Sequence, residues 1–182
     1  MGANYIFEEL TTKRLCLRKI LLDDAKTLYN ILKDRDVAST TLTLPHPCSL
    51  KDCQELINAY INEQELKKTI RWAITKKEKN EVIGAIRLTL NFAFNSGELG
   101  FWIGKKYWRN GYTFEAAEKV IEFGFNELNL NRIEAHAMVE NNSSINLLNK
   151  LSFQREGLHP ELVIKWGEYK DVITFGLLKK NY

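Results

Sequence analysis

Cysteine and histidine are scarce in this sequence, and their placement excludes several chemistries. There are three of each. Cys16, Cys48 and Cys53 form no CxxC pair, and with His46, His136 and His159 they match no metal-ligand spacing, so no metal is expected. An odd, scattered cysteine set suits a reducing, cytoplasmic setting rather than a disulfide scaffold. No apolar run approaches the roughly 20 residues that a membrane span requires. The opening "MGANYI" carries neither a secretory hydrophobic segment nor, at Ile6, the Ser or Thr of a myristoylation site, so no membrane partner is expected. Two of the three prolines fall in "LPHPCS" (Leu44 to Ser49), which reads as a loop. Repeats, linkers and low-complexity tracts are missing, so the 182 residues are read as one domain spanning 1–182. Neither GxxxxGK[ST] nor GxGxxG occurs, which removes the two commonest phosphate-binding loops.

Charge is not one-sided either. The 26 basic and 23 acidic residues leave a net charge of +3, and the lysines are dispersed among glutamates. A nucleic-acid binder needs a contiguous basic face with stacking aromatics, so direct nucleic-acid binding is not expected. A mild positive excess suits a protein that binds a polyanionic small molecule.

What is present is an ordinary core-forming chain, 45% hydrophobic. Alternation in "RLCLRKI" predicts a strand over 14–20, and helical spacing follows in "LDDAKTLYNILKD" over 22–34, with Asp23 and Asp24 as possible caps. Ser49 is placed to cap a helix over 49–64 that lines up Cys53, Leu56, Ile57, Tyr60 and Ile61. Strands are expected over 69–76 and 81–90 about a "KEKN" turn, and over 97–105. Along that third strand Leu99, Phe101 and Ile103 face one way, and Glu98, Gly100 and Trp102 the other. The next helix buries Phe114, Ala117, Ile121, Gly124, Phe125 and Leu128 and wets Glu115, Glu118, Lys119, Glu122 and Asn126. A strand over 132–139, a short helix over 141–151 and a hairpin over 161–178 turned at "WGEY" close the chain. The order β-α-α-β-β-β-α-β-α-β-β predicts an α/β (α+β) fold, a mixed sheet covered by helices.

Between a strand and the clearest helix stands "KKYWRNGY" (Lys105 to Tyr112). A helix N-terminus exposes main-chain N–H groups and carries about +0.5 of a charge, so it attracts anions. Gly111 leaves room for an anion to approach, and Arg109, Lys105 and Lys106 add positive charge. The stretch therefore reads as a phosphate or pyrophosphate site. The alternative is a tight turn relieved by glycine and kept soluble by lysines.

The run "GELGFWIGKKYWRNGYTFEAAEKVIEFGFNELNLNRIEAHAMVENNSSINLLNKLSFQREG" resembles the GNAT N-acetyltransferases, and among them the ribosomal-protein N-terminal acetyltransferases of RimJ and RimL type. "TKRLCLRKILLDDA", "LPHPCSLKDCQELI" and "WGEYKDVITFGLL" extend the likeness to nearly the whole chain. The resemblance implies a mixed, mostly antiparallel central sheet with helices on both faces. It implies acetyl-CoA as co-substrate, no metal, and a small amine or protein N-terminus as acceptor. It places the coenzyme A pyrophosphate on the amides of Arg109, Asn110, Gly111, Tyr112, Thr113 and Phe114, and the pantetheine arm along Phe101, Trp102 and Ile103 and at Asn141. Lys150 falls where a 3′-phosphate contact is possible, and Ser144 at the position that protonates the leaving thiolate. Arg109 and Ser152 stand where the family has small residues, Thr113 where it has Ala or Gly, and Phe114 where it has Thr. Leu148 replaces the tyrosine acid of other branches.

Acetyl transfer to an amine needs a proton acceptor for the amine, donors for the thioester oxygen and a proton for the thiolate. Glu98, on the face it shares with Trp102, is the candidate base; the competing reading is a carboxylate that only bonds a neighbour. Ser144 as acid competes with Ser144 as a helix cap. His136 reads as a core histidine rather than a catalytic one. Trp72, Arg87 and His46 are candidate acceptor-side residues, and Phe92 and Phe94 mark a dimer patch or a lid. The rival function is a coenzyme A-binding regulator of the same fold that does not turn over.

Overall fold

A computed structural model describes residues 7–182, so "MGANYI" lies outside the described residues. Among them eight strands form one sheet in the order β1-β2-β3-β4-β5-β6-β8-β7. They are β1 (Leu10–Thr11), β2 (Leu15–Arg18), β3 (Thr69–Lys76), β4 (Glu81–Asn91), β5 (Ser96–Ile103), β6 (Arg132–Met138), β7 (Gln154–Lys165) and β8 (Glu168–Leu178). Every neighbouring pair is antiparallel except β5 and β6. The mixed, mostly antiparallel sheet expected from the sequence is what forms.

Among the described residues five α-helices cover it: α1 (Ala25–Leu32), α2 (Arg35–Ser39), α3 (Leu50–Glu65), α4 (Tyr112–Asn126) and α5 (Asn142–Lys150). Leu28 and Leu32 of α1 and Ile57 of α3 pack with Ala73, Ala85 and Trp102 on one face of the sheet. Ala117, Val120, Ile121 and Phe125 of α4 pack with Ile70, Trp72, Ile86 and Leu88 on the other. Fully burying each such large aliphatic side chain contributes about 1.5–3 kcal/mol. Trp72 is completely buried; its indole N–H donates to the Glu8 carbonyl at 2.8 Å and its ring meets Phe123 edge-on. It is a core residue, not the acceptor-side residue expected.

The capping expectation for α3 holds. Ser49 Oγ accepts from the Asp52 main-chain N–H at 3.2 Å, and the Asp52 carboxylate accepts from the Ser49 main-chain N–H at 2.7 Å. The single helix expected over 22–34 is broken. Arg18 pulls the Asp24 carboxylate into a two-pronged pair, both contacts 2.8 Å, and that carboxylate also accepts from the Leu21 N–H, so residues 22–24 make only a 3₁₀ turn. Asp34 then caps α2, accepting from the Asp36 N–H at 2.9 Å. The break matters because α2 delivers Thr40 to the site.

The terminal hairpin is longer than expected. β7 already begins at Gln154, and its two register shifts against β8 blur the alternation of side chains. The chain reverses at Trp166 and Gly167 alone, both at positive φ, so Glu168 and Tyr169 are already strand. Phe92 packs against the core from the β4–β5 turn, whereas Phe94 is exposed. No helix among the described residues is long and apolar enough to cross a membrane, and no cluster there could hold a metal ion.

Candidate active site

β5 and β6 pair only over Ser96↔Arg132, Gly97↔Ile133 and Glu98↔Glu134. Beyond that point β5 runs on to Ile103 and β6 to Met138 without pairing to each other. A parallel pair that opens in mid-sheet leaves main-chain donors and acceptors facing the gap. Two cavities meet there. One, of about 470 Å³, lies at the start of α4; the other, of about 110 Å³, lies on the α3 side of the sheet. Thr40, Phe101, Trp102, Asn141 and Ser144 line both and form the throat between them.

The larger cavity collects the sequence-predicted coenzyme residues. Phe101, Trp102, Ile103, Arg109, Gly111, Tyr112, Thr113, Phe114, Asn141 and Lys150 all line it. Gly111 sits at φ +75°, a conformation that only glycine adopts freely, with no side-chain cap over the helix start. The first bond of α4 is donated by Glu115 to the Gly111 carbonyl at 3.1 Å, which leaves the N–H groups of Tyr112, Thr113 and Phe114 ahead of it. Arg109 is exposed, at φ +60°. Ser152 also takes positive φ, +67°. Lys150 Nζ stands 4.4 Å from the centre of the Phe114 ring.

Asn110 does not line the cavity; it shapes the loop. Its side-chain amide donates to the Trp108 carbonyl at 2.9 Å, and its own carbonyl accepts from Arg14 at 3.0 Å. Arg14 is the residue that sequence reasoning missed here. Its guanidinium lies over the Tyr112 ring at 4.6 Å and donates to Glu115 at 2.6 Å, and Glu115 accepts further bonds from the Arg14 main-chain N–H and the Thr12 hydroxyl. Glu115, expected on the wet face, is thus a half-buried tether. Burial alone would raise its pKa, but these three donors hold it below the usual 4.5. Lys105 and Lys106 are corrected as well. They turn away from the loop to Asp36 at 2.6 Å and Glu81 at 3.0 Å.

At the throat, Asn141 Oδ1 accepts from the Ser144 N–H at 3.1 Å and Nδ2 donates to the Thr40 carbonyl at 2.9 Å. Asn141 therefore caps α5, and Ser144 is not its own helix's cap; the half-buried Ser144 hydroxyl stands between the two cavities. The Trp102 indole nitrogen is buried here without a hydrogen-bond partner among the described residues.

The smaller cavity is built from side chains. Glu98 is the last β5 residue paired to β6. Its Oε1 accepts from Arg87 at 2.7 Å, and Arg87 also donates to Thr89. Arg87 lies across β5 only because residue 100 is glycine: a Cβ there would come within 2.7 Å of Arg87 Nε. Arg71, directly opposite Arg87 in the β3–β4 register, stacks on Tyr60 at 3.6 Å and donates to Glu63 at 2.9 Å. His136 lines the same cavity and shares a hydrogen bond with Thr174 at 3.2 Å, so it is a wall residue of the site rather than a core histidine. His46 lies elsewhere, 5.8 Å from the Trp166 ring. Arg71 could have been found: it is a charged residue inside "TIRWAITK", a central strand whose neighbours are apolar on both faces.

The residues fit an elongated ligand with a diphosphate at one end: uncapped main-chain donors, an open glycine turn and an unpaired strand edge lie in one cleft. The sequence matches the Acetyltransferase (GNAT) domain over residues 14–154. A Bacillus licheniformis protein named as an uncharacterized N-acetyltransferase, p20, is 39% identical over 178 residues, covering 96% of this chain and 98% of that protein. The crystal structure of a Vibrio cholerae spermidine N-acetyltransferase in complex with CoA and spermine superposes with a TM-score of 0.79 at 26% identity, covering 92% of this chain and 97% of that one. RimL, a ribosomal L7/L12 alpha-N-protein acetyltransferase in complex with coenzyme A, shares the fold at a TM-score of 0.86 and 16% identity, covering 96% and 100%. Sequence match, sheet order and mid-sheet gap agree: this chain belongs to the GNAT family of acetyltransferases.

Proposed function

We propose that this chain, acting as one catalytic domain in the cytoplasm, transfers an acetyl group from acetyl-CoA to a primary amine that enters through the smaller cavity. The observation that carries this reading is the throat. One cavity ends at an anion-attracting helix start, the other at a carboxylate, and Thr40, Phe101, Trp102, Asn141 and Ser144 join them. The family relationship and the CoA-bound neighbours support the co-substrate.

Acetyl-CoA supplies the acyl group. The amides of Gly111 to Phe114 hold its diphosphate, with Arg109 and Lys150 at the rim, and the unpaired edge at Phe101, Trp102 and Ile103 accepts its arm in extended form. Glu98 takes the acceptor's proton. Arg87 occupies Oε1 and orients the carboxylate, which leaves Oε2 for the amine. Main-chain N–H groups of β5 beyond Glu98 steady the thioester oxygen as it gains charge. Ser144, whose main chain is pinned by Asn141, gives a proton to the departing sulfur and regains one from solvent, to which Glu98 releases the proton it took.

A thermal-shift titration with acetyl-CoA, followed by free-thiol release with a panel of amines, tests the reading. Ligand at 100-fold over Kd stabilises by about 2.7 kcal/mol. Stabilisation without thiol release from any amine would favour the non-catalytic regulator instead.

A further inference from the structure

The smaller cavity is rich in hydrogen-bond donors. Its titratable groups are Arg71, Arg87, Glu98, His136 and Tyr60. Glu98 is its one carboxylate, and one oxygen of it already serves Arg87. Arg71 and Arg87 face each other directly on the neighbouring strands β3 and β4, and each is answered by one carboxylate, Glu63 for Arg71 and Glu98 for Arg87. Glu63, half exposed, answers only one nitrogen of Arg71. Three buried side-chain nitrogens lack a partner among the described residues, and two of them, Arg71 Nε and Trp102 Nε1, belong to residues that line this cavity. Arg71 is 9% exposed and Trp102 8%. A buried donor without a partner calls for an ordered water, an ion or a ligand to complete it. Burial lowers the Arg71 guanidinium's hold on its proton, and an oxyanion beside it would restore that hold.

Resting on the acetyltransferase reading above, we propose that the acceptor is a small zwitterionic amine, an amino acid whose carboxylate is held by Arg71 and Arg87 while its amine meets Glu98. A polyamine would bring further positive charge to two guanidiniums. A cavity of about 110 Å³ has room for one small amine-bearing group.

The test is kcat/KM for thiol release with α-amino acids, their methyl esters and spermidine, on the full chain saturated with acetyl-CoA. The esters keep the amine and lose the negative charge. At least one free amino acid should exceed both its ester and spermidine by about 10- to 100-fold, as expected for one charge-assisted pair. Arg71→Gln should erase that preference by raising KM for the amino acid at least about ten-fold more than KM for its ester. Esters or spermidine equal to or better than the free acids would overturn the proposal while leaving the transferase reading intact. Failure to bind acetyl-CoA, with no thiol released by any amine, would sink the transferase reading itself. The panel on the unaltered protein decides the matter even if Arg71→Gln folds poorly.

Discussion

The two ends of the site are made of different materials. The α4 end is built from main chain: a left-handed glycine, three uncapped amides and an unpaired strand edge. The α3 end is built from side chains: two arginines, a glutamate, a histidine and a tyrosine on one sheet face. Main-chain donors are supplied by almost any residue, so on the proposed reading the first end serves a ligand that never changes. Side-chain groups alter with a single substitution, so on the same reading the second end is where an acceptor is chosen. Arg14 and Glu115 mark the boundary of this rule, because side chains there do no more than hold the backbone loop in place.

Substitutions at each end should therefore separate binding from chemistry. The largest effect is expected at the side-chain end. Glu98→Gln should lower kcat by about a hundred- to a thousand-fold, with acetyl-CoA affinity unchanged in the thermal-shift assay. At the main-chain end the pattern should reverse. Gly111→Val forces a branched residue to φ +75° at a strain of about 1–2 kcal/mol. Acetyl-CoA Kd should rise about ten-fold, and kcat at saturating acetyl-CoA should hold. If Gly111→Val lowered kcat instead, the division between the two ends would fail.

The boundary pair sharpens the comparison through stability. Because the folded Glu115 pKa is depressed, its stabilisation is full above the usual 4.5 and disappears as pH falls through the lower folded value. Glu115→Gln should cost about 1–2 kcal/mol in urea unfolding at pH 7 and flatten the loss of stability seen by the unaltered protein at acid pH. The smallest effect is expected at the rim. Arg109 is exposed, so Arg109→Ala should weaken acetyl-CoA only a few-fold, and less at high salt. A large, salt-independent loss there would show that a side chain, not the backbone, dominates the α4 end.

Much of this was legible in the chain. Ser49 and Asp52 advertise the start of α3, the stripe of α4 follows its spacing, and the alternation of β5 puts Glu98, Gly100 and Trp102 on one face. The misreadings share one cause. Lys105 and Lys106 belong to a basic local string, but their partners Asp36 and Glu81 lie 69 and 25 residues away. Glu115 sits on the polar side of its helix, but Arg14 reaches it across 101 residues. A helical wheel records which side of a helix is apolar; it does not record what else comes to rest against the polar side.

Taken alone, the sequence determined the elements other than β1 and α2, most of their ends, the glycine turn before α4 and the family to which they belong. These depend on neighbours within a few positions, where spacing and backbone preference act. Only the tertiary structure decided where β5 parts from β6, that Arg71 meets Arg87, and that Asn141, Ser144 and Thr40 form one throat. Those contacts join residues far apart in the chain, and they form only after the whole sheet has set its register.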